Sequence, residues 1–258
     1  MRSKQYFDDR VTREMGEAIG AEPWSQRQKL ALACRMLGRE GHESGIAGQI
    51  TARGDAPGTF LTLRFGLGFD EARPRDLVLV DDDLQLLEGS GAATPGSRFH
   101  LWIYRARPEV RCIIHTHSPH ASALSTLGEP LVAAHMDSAM FHEDCAFLAH
   151  WPGVPISDQE GEIITAAMGE KRSILLAHHG LLTTGATIEE AAYLAIFLER
   201  AARMQLLARA AGTMKPIPPE LGREAHDFML KRSIVEASFA YYARRALRHD
   251  PDCLNDEN

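Results

Sequence analysis

The feature that most constrains the fold is a short apolar segment that ends in two histidines. Residues 112–117 read CIIHTH, and a turn-forming Ser-Pro pair follows directly. An apolar run of this length, rich in Ile and bounded by a turn, is typical of a buried β-strand. Because alternate side chains of a strand share a face, Ile113, His115 and His117 point to the same side. The chain therefore needs a covered sheet that carries two imidazoles to one place.

A second pair of histidines ends another apolar segment. Residues 173–179 read SILLAHH, and Gly180 follows, which permits a tight turn and a close approach of the backbone. His178 or His179 could add a third nitrogen to the two imidazoles of the first segment, and three such nitrogens can bind one cation. A single HxH or HHG motif is more often a hydrogen-bonded core or surface feature. Two motifs, each at the end of a buried strand and before a turn, favour a metal site.

Composition narrows the class of protein. The 258 residues are 45% hydrophobic, which is enough material for a substantial core. Lys and Arg number 28 against 35 Asp and Glu, for a net charge of -7, and this balance argues against a nucleic-acid partner. The first 20 residues lack the apolar region of a signal peptide and the chain lacks a long uncharged apolar run, so we expect a cytoplasmic protein without a membrane partner. The four cysteines show no CxxC spacing and are expected to be reduced.

The remaining patterns predict one α/β domain over residues 1–258. Short β-prone runs between Gly45 and Gly89 predict antiparallel strands, and residues 1–20 are expected to form an irregular arm. Helices are predicted after a capping box at Ser25 and Gln28, over SRFHLWIYRAR, over PHASALSTLG, from Thr187 to Gly212 and over SIVEASFAYYARRALR. Because no repeat or domain break is visible, we expect a mostly antiparallel sheet with helices on its faces, and a C-terminal extension at 213–258.

Three segments carry a resemblance to a known family. They read AGQITAR, RFHLWIYRARPEVRCIIHTHSPHASALS and ILLAHHGLLTTGATIEEAAYLAIFLERAARMQLLA. Together they resemble the class II aldolase/adducin family over roughly residues 25–215. The resemblance implies a three-layer α/β/α domain with a central, mostly antiparallel sheet, usually assembled as a homotetramer. It also implies a divalent metal held by His115, His117 and His179, with His178 as a neighbour that either packs nearby or supports a metal ligand.

The chain departs from the sugar-phosphate aldolases of this family at their catalytic carboxylate. Those enzymes carry a Glu, the proton-transfer base, four residues before the histidine that corresponds to His100, and the position is Gly96 here. The phosphate-binding positions of the family are also poorly kept, since they read Gly48 with Gln49, the apolar RFGLGF, and Gly96 with Ser97. A ketose phosphate is therefore not the expected substrate. Adducins also lack the Glu, but they lose metal histidines that this chain keeps.

A three-His site without a carboxylate leaves a divalent ion, Zn, Mn, Co or Fe(II), with its full charge and open positions. We therefore predict a metal-dependent carbon-carbon lyase, of decarboxylase or aldolase type, acting on an unphosphorylated 2-oxo or hydroxy acid. Decarboxylation needs no base to remove a proton, so the missing Glu harms it least. The alternative is a non-heme Fe(II) oxygenase that oxidatively decarboxylates an aryl-pyruvate or hydroxy acid, as the resemblance to the family's aminocoumarin-pathway branch implies. The metal histidines disfavour an adducin-like interaction module that binds no substrate.

Three further residues are candidates for substrate binding or proton transfer. Arg98 lies close to the vacated Glu position and could bind a substrate carboxylate through two hydrogen bonds, although a solvent-facing role suits it equally. In the segment 135–145, His135 and Glu143 have apolar neighbours that predict partial burial, and either could replace the missing acid or base. For each of them alone, an ordinary loop position is the simpler explanation. His100 is expected to be structural, on the inner face of its helix.

Overall fold

The described residues form an eight-stranded sheet at the centre of the molecule. The structure is a computed structural model, and it describes residues 1–18 and 24–255. The strands are β1 (Gln49–Arg53), β2 (Phe60–Leu63), β3 (Leu77–Val80), β4 (Leu86–Glu88), β5 (Cys112–Thr116), β6 (Cys145–Leu148), β7 (Ser173–Leu176) and β8 (Gly180–Gly185). Their order across the sheet is β4-β3-β2-β1-β5-β8-β7-β6. Only β6 and β7 are parallel neighbours among these strands, so the prediction of a mostly antiparallel sheet is confirmed.

Helices cover both faces of this sheet. They are α1 (Lys4–Ala18), α2 (Gln26–Arg39), α3 (Arg98–Ala106), α4 (Pro119–Thr126), α5 (Met136–Ala139), α6 (Asp158–Met168), α7 (Ile188–Ala211), α8 (Pro219–Met229) and α9 (Arg232–His249). On one face α3 and α6 enclose a buried cluster that includes Phe99 and Ile113. On the other face α2, α7 and α9 enclose a cluster that includes Ile114. The alternation of side chains along β5 thus produces the three-layer α/β/α arrangement.

Local signals begin the two best-predicted helices. Ser25 accepts a hydrogen bond from the backbone N–H of Gln28, whose side chain accepts one from the backbone N–H of Ser25, so the predicted capping box is present. Thr187 accepts from the backbone N–H of Glu190 at the start of α7. The Glu190 carboxylate accepts from the N–H of Ala186 instead of Thr187, which completes the cap one residue earlier.

The expectation of an irregular arm at residues 1–20 is wrong for most of its length. Residues 4–18 form α1, and residues 19 and 20 lie outside the described part of the chain. Side-chain hydrogen bonds join this polar helix to the start of α9, since Lys231 donates to Asp8 at 2.5 Å and to Thr12 at 2.7 Å. Since both partners lie more than 200 residues away in sequence, no local pattern could have predicted this contact.

Two further features concern the cysteines and the apolar character of the helices. All four cysteines are free, and burial raises the pKa of Cys34 and Cys145 to about 12. These thiols are therefore protonated and unreactive at neutral pH, in agreement with the predicted reduced state. Within residues 1–18 and 24–255, no helix has the length and apolar character that crossing a bilayer requires.

Candidate metal centre

Three histidines meet where β5 ends and β8 begins. His115 is the second-last residue of β5, His117 follows the strand directly, and His179 immediately precedes β8. Their side-chain nitrogens all lie within 4.8 Å of one another. His178 is exposed and has a left-handed φ of 58°, which tightens the turn between β7 and β8. The structure thus brings together the three histidines that the resemblance singles out and leaves His178 outside the cluster.

The geometry of the cluster suits a shared cation. The Nε2 atoms of His115 and His117 are 3.1 Å apart, and the His179 ring centroid is 4.6 Å from each of the other two. Two nitrogens that bind one ion at ~2.1 Å stand roughly 3.0–3.4 Å apart for angles between octahedral and tetrahedral. The Nδ1 atom of His115 lies 2.8 Å from the carbonyl oxygen of Leu181. Because a carbonyl only accepts, Nδ1 carries the hydrogen and Nε2 presents its lone pair to the cluster.

The electrostatics of the cluster keep all three rings neutral. Burial lowers the pKa of His115 well below its usual value, and charge on His179 or His117 would lower it further. Burial lowers the pKa of His179 to about 4, with a smaller effect from His117, and burial also lowers the pKa of His117. A metal ligand must be the neutral imidazole, so these rings are ready to bind at neutral pH without losing a proton. The donor set therefore fits a divalent cation.

Gly180 lets the two strand ends approach each other. A Cβ at this position would collide with the backbone oxygen of Thr116 and would lie 3.2 Å from the Cδ2 atom of His117. Any side chain would therefore push the HHG turn away from the end of β5. The glycine that the sequence indicated as permissive for a close approach is required for the assembly of the cluster.

A buried carboxylate supports the other side of β5, and sequence reasoning missed it. Glu199 on α7 accepts from the backbone N–H groups of His120 at 3.0 Å and Ala121 at 2.8 Å, and its Oε1 lies 2.6 Å from Nδ1 of His120. It therefore caps the N-terminus of α4, which begins directly after the cluster strand. The sequence around Glu199 shows only the apolar stripe of α7. Nothing in that stretch indicates that the Glu199 side chain points into the protein.

Arg98 does not face the cluster. It lies on the outer side of α3, where it donates to Asp83 at 2.9 Å and to Asp158 at 3.2 Å. Residues two positions apart on a helix point in very different directions, so the side chain of Arg98 diverges from that of the buried His100. Its guanidinium is already paired with two carboxylates in this chain.

His135 and Glu143 are exposed, so the prediction of partial burial is wrong for both. His135 begins α5 and accepts at Nδ1 from the backbone N–H of Asp137. Glu143 has a left-handed φ of 56° in the turn before β6 and forms an ion pair with Arg223. Neither forms a hydrogen bond or ion pair with a cluster histidine. Met136, next to His135, is itself exposed, whereas Phe141, two residues before Glu143, is buried, so apolar neighbours in sequence did not indicate the burial of either polar residue.

Comparisons with known proteins agree with this fold. The family model described as Class II Aldolase and Adducin N-terminal domain matches residues 28–206. Decarboxylase NovR of Streptomyces niveus is 31% identical over 231 residues, which cover 88% of this chain and 86% of that protein. A 4-hydroxy-3-prenylphenylpyruvate oxygenase/4-hydroxy-3-prenylbenzoate synthase of Streptomyces roseochromogenus subsp. oscitans is 32% identical over 197 residues, with 75% of this chain and 71% of that protein covered.

A solved structure extends the comparison to nearly the whole chain. L-fuculose 1-phosphate aldolase from Glaciozyma antarctica PI12 superposes with a TM-score of 0.83 at 28% identity, and the match covers 94% of this chain and 98% of that one. The predicted class II aldolase-like fold is therefore confirmed. Because the family model matches residues 28–206, which is more than half of the chain, this chain belongs to the class II aldolase and adducin family.

Proposed function

We propose that this protein is a metal-dependent enzyme that cleaves a carbon-carbon bond of an unphosphorylated 2-oxo or hydroxy acid. His115, His117 and His179 hold the divalent cation. The observation that carries the proposal is the convergence of three neutral imidazole nitrogens within 4.8 Å, without an Asp or Glu in the cluster as far as the described residues extend. The similarity to Decarboxylase NovR supports decarboxylation as the reaction type.

The residues around the metal site have different roles in the proposed reaction. A divalent ion bound here supplies a Lewis acid that stabilises negative charge developing on the substrate oxygens. Leu181 orients the ring of His115, so that Nε2 is directed at the centre of the cluster. Gly96 contributes no acid or base at the position where related aldolases carry a Glu. Loss of carbon dioxide leaves the electron pair on the substrate without prior removal of a proton, and it therefore suits this set of residues better than aldol cleavage does.

The similarity to the prenylphenylpyruvate oxygenase favours a second candidate. In this case the ion is Fe(II), and the enzyme consumes dioxygen during oxidative decarboxylation of an aryl-pyruvate or hydroxy acid. The same three histidines serve both candidates, and the usual iron triad of two histidines and one carboxylate differs from them. The two candidates therefore differ in the metal and in the use of dioxygen rather than in the ligands.

One experiment separates them. Protein purified without oxygen is analysed for bound elements and is then given a panel of aryl-pyruvates and hydroxy acids while oxygen uptake and carbon dioxide are recorded. Zinc or manganese with carbon dioxide released and no oxygen consumed supports the lyase. Stoichiometric iron with substrate-dependent oxygen uptake supports the oxygenase. Protein that retains no divalent metal contradicts both, and tight inhibition by phosphoglycolate contradicts the unphosphorylated substrate.

A further inference from the structure

A cavity of about 540 Å³ lies between α2, α4, α7 and α9. These helices pack on the face of the sheet that carries Ile114, whereas His115 shares the opposite face with Ile113. No histidine of the metal centre lines the cavity. Sites for small molecules usually have volumes of roughly 300–1,000 Å³. The cavity is therefore separate from the metal centre and large enough for a small ligand.

Three arginines contribute to the lining of this cavity. Arg39 ends α2, and Arg200 and Arg203 lie one turn apart on α7. Arg39 and Arg203 form no hydrogen bond or ion pair with another described residue. Arg200 donates from Nε to the carboxylate of Asp137, which leaves its two terminal amino groups available. Two guanidinium groups in one cavity thus have no counter-charge within the described part of the chain.

The two carboxylates of the lining are already paired with other donors. Glu40 accepts from Arg245 at 2.6 Å. Glu199 accepts from the backbone N–H groups at the start of α4, and its Oε1 atom lies 2.6 Å from Nδ1 of His120. Neither carboxylate therefore neutralises the unpaired arginines, and the cavity attracts an anion.

The rest of the lining is largely apolar. Ile196, Met204 and Leu207 lie on the same side of α7 as the arginines, and Tyr242 reaches the cavity from α9. Burial raises the pKa of the half-buried Tyr242, so its hydroxyl keeps its hydrogen at neutral pH and can donate it. A ligand that fills this cavity combines an anionic group with an apolar part.

We infer that the cavity binds a small phosphate monoester. A phosphate monoester carries nearly two negative charges at neutral pH, and its three terminal oxygens point in different directions. These properties match two unpaired guanidinium groups that come from different helices, Arg39 on α2 and Arg203 on α7. A carboxylate offers one charge and two oxygens in a single plane. The inference is independent of the proposed function, because the ligand lies outside the metal centre and takes no part in the reaction.

The test measures the binding of phenyl phosphate to the full-length protein by titration calorimetry. We expect Arg39→Met and Arg203→Met each to weaken binding about tenfold, the effect of losing one charged hydrogen bond. Arg13→Met is the matched control, since Arg13 is exposed on α1 and does not line the cavity, and it should leave binding unchanged. His115→Ala should also leave it unchanged, because this variant alters only the metal centre.

Two further probes separate the parts of the ligand. Inorganic phosphate has the charged group alone, and benzoate places a carboxylate on the same ring; we expect each to bind about tenfold more weakly than phenyl phosphate. Inorganic phosphate that binds as tightly would assign the cavity to free phosphate and overturn the monoester. Benzoate that binds as tightly would overturn the choice of a phosphate group.

The remaining outcomes concern the location of the site. Absence of binding to the wild-type protein overturns the inference, and this result does not depend on whether a variant folds. Binding that is lost in His115→Ala but kept in Arg39→Met and Arg203→Met would place phenyl phosphate at the metal centre, which also overturns the inference. The metal content of the protein, which tests the proposed function, is measured separately and does not enter this comparison.

Discussion

His115 donates its Nδ1 hydrogen to the carbonyl oxygen of Leu181 at 2.8 Å. Leu181 belongs to the neighbouring strand β8 and pairs with Thr116, so the bond joins the strand that carries HxH to the strand that follows HHG. It fixes the ring orientation of His115 and leaves Nε2 free for a metal. Such a carbonyl partner is common behind metal-bound histidines, and here both motifs contribute to it.

Metal content should depend on three of the four histidines in the two motifs. We expect His115→Ala and His179→Ala each to reduce bound metal at least tenfold, because a site with two remaining imidazoles loses one of its three bonds. His178→Asn is the matched control, since Asn tolerates the left-handed φ of 58° and this residue lies outside the cluster. Elemental analysis after dialysis measures the effect. Full metal content in His115→Ala, or equal loss in all variants, would show that the ligands are assigned wrongly.

Gly180→Ala should disrupt the cluster although the residue binds nothing. The added methyl group would collide with the backbone oxygen of Thr116, so the HHG turn must move away from β5. We expect a loss of about 2 kcal/mol in the free energy of unfolding and a parallel loss of bound metal. Gly128→Ala serves as the comparison. A Cβ there meets no neighbouring atom, so this variant introduces only the backbone strain that comes with its φ of 72°. Normal metal binding in Gly180→Ala would mean that the turn adapts without moving His179.

Glu199→Gln should destabilise the whole domain. The carboxylate accepts two backbone N–H groups at the start of α4 and lies 2.6 Å from Nδ1 of His120. A neutral amide weakens these bonds and turns an N–H group toward one of the donors, so we expect a loss of about 2–3 kcal/mol. The control is Glu236→Gln, which breaks an exposed ion pair with Arg232 and should leave the stability almost unchanged. Denaturant unfolding compares the two, and equal effects would contradict the capping role of Glu199.

The convergence of His115, His117 and His179 could be predicted because its signal is local. Alternation along β5 aligns His115 with His117, and Gly180 marks the turn that brings His179 to them. Both features lie within a few residues of the side chains that they position. The same reasoning predicted the antiparallel strands between Gly45 and Gly89, because each strand is bounded by its own turn residues.

The rest of the site depends on contacts between distant segments. The Gln49 carboxamide lies against Gly96, about 50 positions further along the chain, and Glu199 acts on a helix start 78 residues before it. Arg98 shows the converse, because its closeness in sequence to Gly96 suggested a substrate contact, whereas Asp83 and Asp158 hold it on the outer side of α3. Helix direction and long-range ion pairs decided these positions, and neither leaves a pattern in a short window of sequence.

The attachment of the C-terminal extension should depend on pH through His226. Its Nε2 atom lies 3.1 Å from Asp144 and its Nδ1 atom 2.8 Å from Asp227, while Arg172 donates to Asp144 at 2.5 Å. The hydrogen bond with Asp144 raises the pKa of His226 above its usual 6.5, with burial opposing and Asp227 adding to the effect. Burial alone would raise the pKa of Asp144, but hydrogen bonds from His226 and Arg172 lower it below 3.8.

The signs follow from these two shifts. The contribution of His226 is fully present below pH 6.5 and disappears as the pH rises through its higher pKa in the folded protein, and the contribution of Asp144 disappears only in acid, below pH 3.8. We therefore expect His226→Gln to lose about 1.5 kcal/mol of unfolding free energy at about pH 5.5, and the gap from wild type to close at about pH 9. Denaturant unfolding across this range measures it. A gap that stays constant with pH would assign the role of His226 to packing between α8 and the start of β6 rather than to its charge.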